Sequence, residues 1–99
     1  MPSTYELSIF WTDEAKETFA AIFSFILDRF NERSAKKFLK QTNRILAIIK
    51  LQPEIFEASI SDQFRKGKIT NHTSVYYEIE DDQIRLLFFF DNRQEPLIT

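Results

Sequence analysis

The fold is decided by residues 64–96. They read Phe64-Arg65-Lys66-Gly67-Lys68-Ile69-Thr70, Asn71-His72-Thr73, Ser74-Val75-Tyr76-Tyr77-Glu78-Ile79-Glu80, Asp81-Asp82, Gln83-Ile84-Arg85-Leu86-Leu87-Phe88-Phe89-Phe90-Asp91 and Asn92-Arg93-Gln94-Glu95-Pro96. The blocks Phe64–Thr70, Ser74–Glu80 and Gln83–Asp91 are rich in β-branched and aromatic residues, and short polar turns separate them, so they predict three consecutive strands. The near-continuous apolar run in the last block predicts a central strand covered on both faces. If Phe88 and Phe90 face the rest of the protein, Phe89 faces the other way and needs its own cover, from Trp11, Tyr77 or a second chain. Gly67, the single glycine of the chain, predicts a bulge or a close backbone approach within its strand.

Upstream the period changes. Tyr5, Leu7, Ile9 and Trp11 alternate with other residues and predict a half-buried strand over Tyr5–Trp11. Thr12 is placed to cap a helix, with Asp13 and Glu14 in the first turn, where the helix dipole favours anions. Ala15, Phe19, Ile22, Phe23, Ile26 and Phe30 then recur at spacings of three and four, the apolar stripe of a helix ending near Asn31. Phe25 lies beside that stripe, at the core edge or open to a partner. A second helix is expected from a cap at Ser34, burying Ala35, Phe38, Leu39, Thr42, Ile45, Leu46 and Ile49 and presenting Lys37, Lys40 and Arg44 to solvent. Pro53 ends it, because the residue before a proline disfavours helical angles. Residues 54–62 form a mixed connector. The resulting order is β-α-α-β-β-β. The fold class is α+β, a helical hairpin packed on one face of a small, mostly antiparallel sheet, in one domain over residues 1–99.

Composition narrows the chemistry. The 99 residues carry a formal charge of −2, so a site for polyanions must be a local patch. Eleven Phe residues supply much of the core. No Cys means no disulfide or thiolate metal site, and a single His excludes a multi-histidine site within one chain. There is no basic start followed by an apolar run, and no stretch near the ~20 apolar residues of a membrane span. These features predict a cytoplasmic location. No Gly-rich phosphate loop, paired-histidine zinc motif or Ser-His-Asp set is legible, and no cofactor or metal is expected.

The candidate site residues cluster in the last third. Lys66 and Lys68 point to one face of their strand, and Arg65 to the other unless Gly67 bulges it. With Arg93 beyond the last strand they could form a cationic site for phosphates. The same charges also serve to protect a sheet edge from aggregation. His72 has the only side chain with an unperturbed pKa near neutrality. It is the candidate general acid or base, in a turn where a solvated His is also common. Tyr76 and Tyr77 face opposite ways, one into the core and the other free to meet a partner. Asp91, Arg93 and Gln94 form a polar knot at a strand end, an ion pair or a side-chain-closed turn.

Taken in order, Phe10-Trp11-Thr12, Ala35 and Phe38, Pro53, Arg65-Lys66-Gly67, Tyr77 and the closing Asp91-Asn92-Arg93-Gln94-Glu95-Pro96 resemble the RelE/ParE superfamily of toxins from bacterial type II toxin–antitoxin systems. They are most similar to its ParE-like, plasmid-stabilisation subset. The resemblance implies a cognate antitoxin whose disordered arm folds on the toxin. It implies two alternative activities. RelE-like members cut mRNA in the ribosomal A site without a metal; ParE-like members bind and poison DNA gyrase. By position Arg65 and Arg93 match RelE-type basic residues, whereas Ser74 stands near an expected arginine and no Tyr follows Arg93. Those departures and the acidic composition favour the ParE-like alternative. Lys68 and His72 keep the endonuclease open if they converge with Arg65 and Arg93. A scaffold that only binds antitoxin is the third possibility. Lys66, Tyr77, Asp91, Gln94 and Phe25 are the candidate contacts for target or antitoxin.

Overall fold

A computed structural model describes residues 7–59 and 63–94. The elements follow the expected order: β1 (Ser8–Trp11), α1 (Asp13–Arg29), α2 (Glu32–Leu51), β2 (Arg65–Lys68), β3 (Thr73–Ile79) and β4 (Gln83–Asp91). Tyr5 of the predicted first strand, the end of the 54–62 connector, and Glu95 and Pro96 lie outside the described residues. The sheet runs β1-β4-β3-β2; β1 pairs parallel to β4, and the other two pairings are antiparallel.

Local chemistry sets the helix starts. The Thr12 hydroxyl accepts from the Ala15 amide at 3.0 Å and donates to the Leu86 carbonyl at 2.7 Å, so one side chain caps α1 and pins it to β4. The second cap differs from expectation. Asn31, not Ser34, caps α2, its Oδ1 accepting from the Ser34 amide at 2.8 Å. Ser34 is therefore the third residue inside the helix, and its backbone is what the cap satisfies. Two residues of the predicted apolar stripes lie outward, Phe30 at 53% exposed and Leu39 at 40%.

The strand predicted as uniformly buried changes face midway. Tyr76 pairs with Phe88 but Tyr77 pairs with Leu86, so Leu87 has no residue opposite and forms a bulge. Before it, Ile84 and Leu86 point at the helices; after it, Phe89 and Asp91 do. Phe88 and Phe90 thus do not face the helices, and of the candidate covers for Phe89 it is Trp11 that packs on it. Phe89 is the buried ring, stacked on Trp11 at 5.3 Å and edge-on to Phe19 at 5.3 Å, while Phe88 and Phe90 lie on the outer face. The bulge falls where β1 ends. Beyond Leu86 the edge of β4 meets α1 instead of a strand, and the Phe89 amide donates to the Thr18 hydroxyl at 2.8 Å.

At Gly67 the expected close approach is present. A Cβ there would sit 3.2 Å from Cδ2 and Cε2 of Phe56, whose ring covers β2. The loop carrying Phe56 runs beside the strand, with an Ala58–Arg65 bridge and the Ser59 amide donating to the Phe64 carbonyl at 2.7 Å.

Candidate functional site

Between α2 and the β2–β3 turn lies an open groove of about 750 Å³. Its apolar floor includes Ile26, Phe38, Ile45 and Ile69; its polar rim includes Lys37, Lys68, His72 and Arg93. None of its described lining residues is acidic. The β2–β3 turn that forms one wall is closed by Thr70, whose hydroxyl accepts from the amides of His72 and Thr73, both at 3.1 Å.

Arg93 reaches the groove through a fixed network. Its Nε and Nη2 donate to the two Asp91 oxygens at 3.0 and 2.8 Å, a bidentate pair, and its amide donates to Oδ1 at 2.8 Å. Its guanidinium stands 5.7 Å from the Phe25 ring centre and 5.4 Å from that of Phe30. Asp91 is buried and also accepts from the Thr73 hydroxyl. Burial alone would raise its pKa, but Arg93 and Thr73 outweigh that and hold it below the usual carboxylate range. The Gln94 amide closes the turn on the Asp91 carbonyl at 3.2 Å. The polar knot is therefore a locked strand end: Asp91 is enclosed, while the aromatic-flanked edge of Arg93 is offered to the groove.

The structure brings Lys68, His72 and Arg93 to this one groove and leaves Arg65 elsewhere. Arg65 Nη1 donates to the Phe56 carbonyl at 2.6 Å. Arg65 lies opposite Tyr77 and Asp91 opposite Thr73, four residues further along β3, or roughly 13 Å at the strand rise. Two arginines so placed do not meet on one phosphate. His72 is exposed, with Nδ1 3.2 Å from Asn92 Oδ1. Lys66 lies on the outer sheet face, its Nζ 6.0 Å from the Tyr76 ring centre.

Tyr77, expected as a possible partner contact, is instead fully buried, its hydroxyl donating to the Pro53 carbonyl at 2.7 Å. Burial pushes its pKa up to about 12, with the Arg65 charge and the Phe56 backbone acting in the opposite direction. Phe25 is half-buried, with Arg29 5.4 Å from its ring centre and Arg93 on it as well.

Sequence reasoning assigned Lys37 to a solvated face with Lys40 and Arg44. In the structure Lys37 lines the groove with Ser34 and Gln41. The signal was present: these three lie at helical spacing directly beside Phe38 and Ile45.

Residues 9–96 match the family model for the ParE toxin of type II toxin–antitoxin system, parDE. The chain belongs to the ParE toxin family. No curated protein matches it significantly. Among solved structures, a chain from the chromosomal ParDE TA system of P. aeruginosa superposes with a TM-score of 0.72 at 15% identity, covering 87% of this chain and 96% of that one. A YoeB dimer structure from Staphylococcus aureus gives a TM-score of 0.61 at 16% identity, covering 87% and 97%. A conserved hypothetical protein of Helicobacter pylori gives 0.54 at 19% identity, covering 89% and 97%. At such identities these structures speak to the fold: two helices on a four-stranded mixed sheet, the arrangement of RelE/ParE-like toxins. Membership in the ParE family implies an antitoxin partner. No helix of the described residues is long and apolar enough to cross a membrane, and among them no three His, Cys, Asp or Glu side chains gather as a metal site would need.

Proposed function

We propose that this ParE-family chain is a cytoplasmic toxin that acts by binding a target protein, DNA gyrase being the target its family implies. A cognate antitoxin neutralises it by laying an arm in the groove. One observation carries the reading: an apolar floor ringed by Lys37, Lys68 and Arg93, with no acidic group among the described lining residues. Such a groove suits a segment that folds on binding, with apolar anchors at helical spacing and carboxylates on its flank. The arginines support a binding role over a nuclease role. Arg93 shares its charge with Asp91, and Arg65 is held apart by the Phe56 carbonyl, so the two do not converge to stabilise charge on one phosphorus.

One feature favours the ribosome-dependent endonuclease as a second reading. Lys66, Lys68, His72 and Ser74 line a smaller cleft of about 250 Å³ beside Phe90 on the other face. A histidine beside two cations supplies a candidate base for a 2′-hydroxyl and charge to offset that developing on phosphorus.

The test is controlled expression together with purified components. Stabilised gyrase–DNA cleavage complexes, without ribosome-dependent mRNA cuts, are expected. Cleaved mRNA that disappears on His72→Ala would replace this reading with the nuclease. No effect on growth, gyrase or mRNA would reduce the chain to an antitoxin-binding scaffold. For the groove, Lys37→Glu with Lys68→Glu should weaken antitoxin affinity at least tenfold, or about 1.4 kcal/mol; unchanged affinity would place the arm elsewhere.

A further inference from the structure

Among the described residues, no element covers the sheet face opposite the helices, and that face is strongly patterned. Because of the Leu87 bulge, β4 turns Phe88 and Phe90 outward, level with Tyr76 and Ser74 of β3. Tyr76 stacks on Phe88 at 4.6 Å between ring centres and is tilted against Phe64 at 6.0 Å. Phe10 and Phe90 are 49% and 46% exposed on this same face. The lysines stand at one end of the aromatic strip and the carboxylates at the other, with Arg85, opposite Glu78, the one cation of the described residues at the acidic end. Lys66 and Lys68 stand level with Tyr76 and Ser74. Glu78 follows on the same face of β3; Glu80 lies just past the strand end, its carboxylate accepting from Gln83 Nε2 at 2.7 Å, and the Asp81-Asp82 turn lies beyond.

We propose that this face is a self-association surface on which a second copy of the chain docks face to face about a two-fold axis, the basic end of one copy over the acidic end of the other. Take a two-fold axis that crosses the strands between the Tyr76 and Glu78 levels. It puts Lys66 at the level of the partner's Glu78, and Lys68 at the level of the partner's Glu80. The lateral offset is one strand, ~4.8 Å, within reach of a lysine side chain. The same operation sets Phe88 over the partner's Arg85, a cation on an aromatic face. Arg85 already takes that role within one copy, 6.0 Å from the Phe10 ring centre. Each contact then occurs twice, as a self-complementary patch requires.

Charge decides the occupant. A single-stranded nucleic acid would use the rings and lysines, but its phosphates would also run past Glu78, Glu80 and the two aspartates. A second copy satisfies both ends at once. The face is small. Four strands at ~4.8 Å and about six residues at ~3.3 Å make on the order of 400 Å² per copy, below the ~800 Å² per partner of a standard stable interface. The dimer is therefore weak and concentration-dependent. Its contacts lie on the face opposite the groove except for Lys68, which also stands on the groove rim, so the Glu78→Lys with Glu80→Lys variant is the one that tests the dimer without touching the groove.

Sedimentation velocity of the purified chain, from about 5 to 500 μM at low salt, tests it. A monomer–dimer equilibrium is expected that weakens as salt rises. Lys66→Glu with Lys68→Glu should lower association at least tenfold, and so should Glu78→Lys with Glu80→Lys, with circular dichroism showing both variants folded. Mixed in equal amounts, the two variants should regain association as a heterodimer, because one end contact then has its original sign, the other the reversed sign, and both are attractive. Three results would each overturn the proposal: a monomer across the whole range, variants that dimerise like the parent, or a mixture that stays monomeric. Tight binding of a fluorescent oligonucleotide by a chain that remains monomeric would assign the face to nucleic acid instead. The salt response of the unmodified chain needs no variant, so the proposal can fail even if a variant does not fold.

Discussion

Replacing Asp91 with Asn removes the charge that locks the end of β4. The buried carboxylate accepts two bonds from the Arg93 guanidinium, one from the Arg93 amide and one from the Thr73 hydroxyl. Asn keeps one acceptor oxygen and turns an NH₂ toward donors. Breaking a buried ion pair from one side costs about 3–5 kcal/mol. The Arg93 side chain is 25% exposed and can turn partly to water, which lowers the expected loss to roughly 2–3 kcal/mol. At about 4–8 °C per kcal/mol for a domain of this size, the melting temperature should fall on the order of 15 °C. Urea unfolding near pH 7 measures the loss directly.

The pH dependence supplies a second, independent reading. The folded-state pKa of Asp91 lies below the ordinary value of 3.8, so its contribution is complete above the unfolded pKa. That contribution is lost as pH falls through the unfolded value toward the folded one. The gap between parent and Asp91→Asn should therefore be constant from pH 7 to about 5 and shrink below about pH 4. A double-mutant cycle with Arg93→Met, which keeps an apolar stem between Phe25 and Phe30, should show coupling of about 1–3 kcal/mol. The reasoning fails if Asp91→Asn costs under about 0.5 kcal/mol, or if the gap does not narrow in acid.

Three further predictions follow from the core and the strands. Phe89→Ala removes a ring packed on Trp11 and Phe19 and should cost about 3–5 kcal/mol by chemical denaturation, whereas Phe90→Ala, on the exposed face, should cost under about 1. Gly67→Ala forces the Phe56 ring to give way and should destabilise by roughly 1–2 kcal/mol; adding Phe56→Leu should recover part of that loss in the same assay. Absorbance at alkaline pH should show one of the three tyrosines of the chain ionising late, near 12, and Tyr77→Phe should remove that step. Because the folded pKa of this acid is raised, its neutral form is favoured by folding, and stability should decline as pH rises above about 10.

The sequence alone determined the kind and order of the elements, because the period of two in Leu7–Trp11, the spacing of three and four from Ala15 to Ile49 and the turn residues at 71–73 and 81–82 are local properties of neighbouring residues. It also indicated the Asp91–Arg93 knot, whose partners stand two residues apart, and the close approach at Gly67. What the tertiary structure decided was everything that depends on register. The Leu87 bulge reverses which of the three consecutive phenylalanines is buried, and it arises where β1 stops and α1 takes over the edge of β4. The same register buries Tyr77, separates Arg65 from Arg93 along β3, and brings Lys37 of a helix to Lys68 of a strand. Contacts between residues distant in the chain are set by how the layers pack, and no local period encodes them.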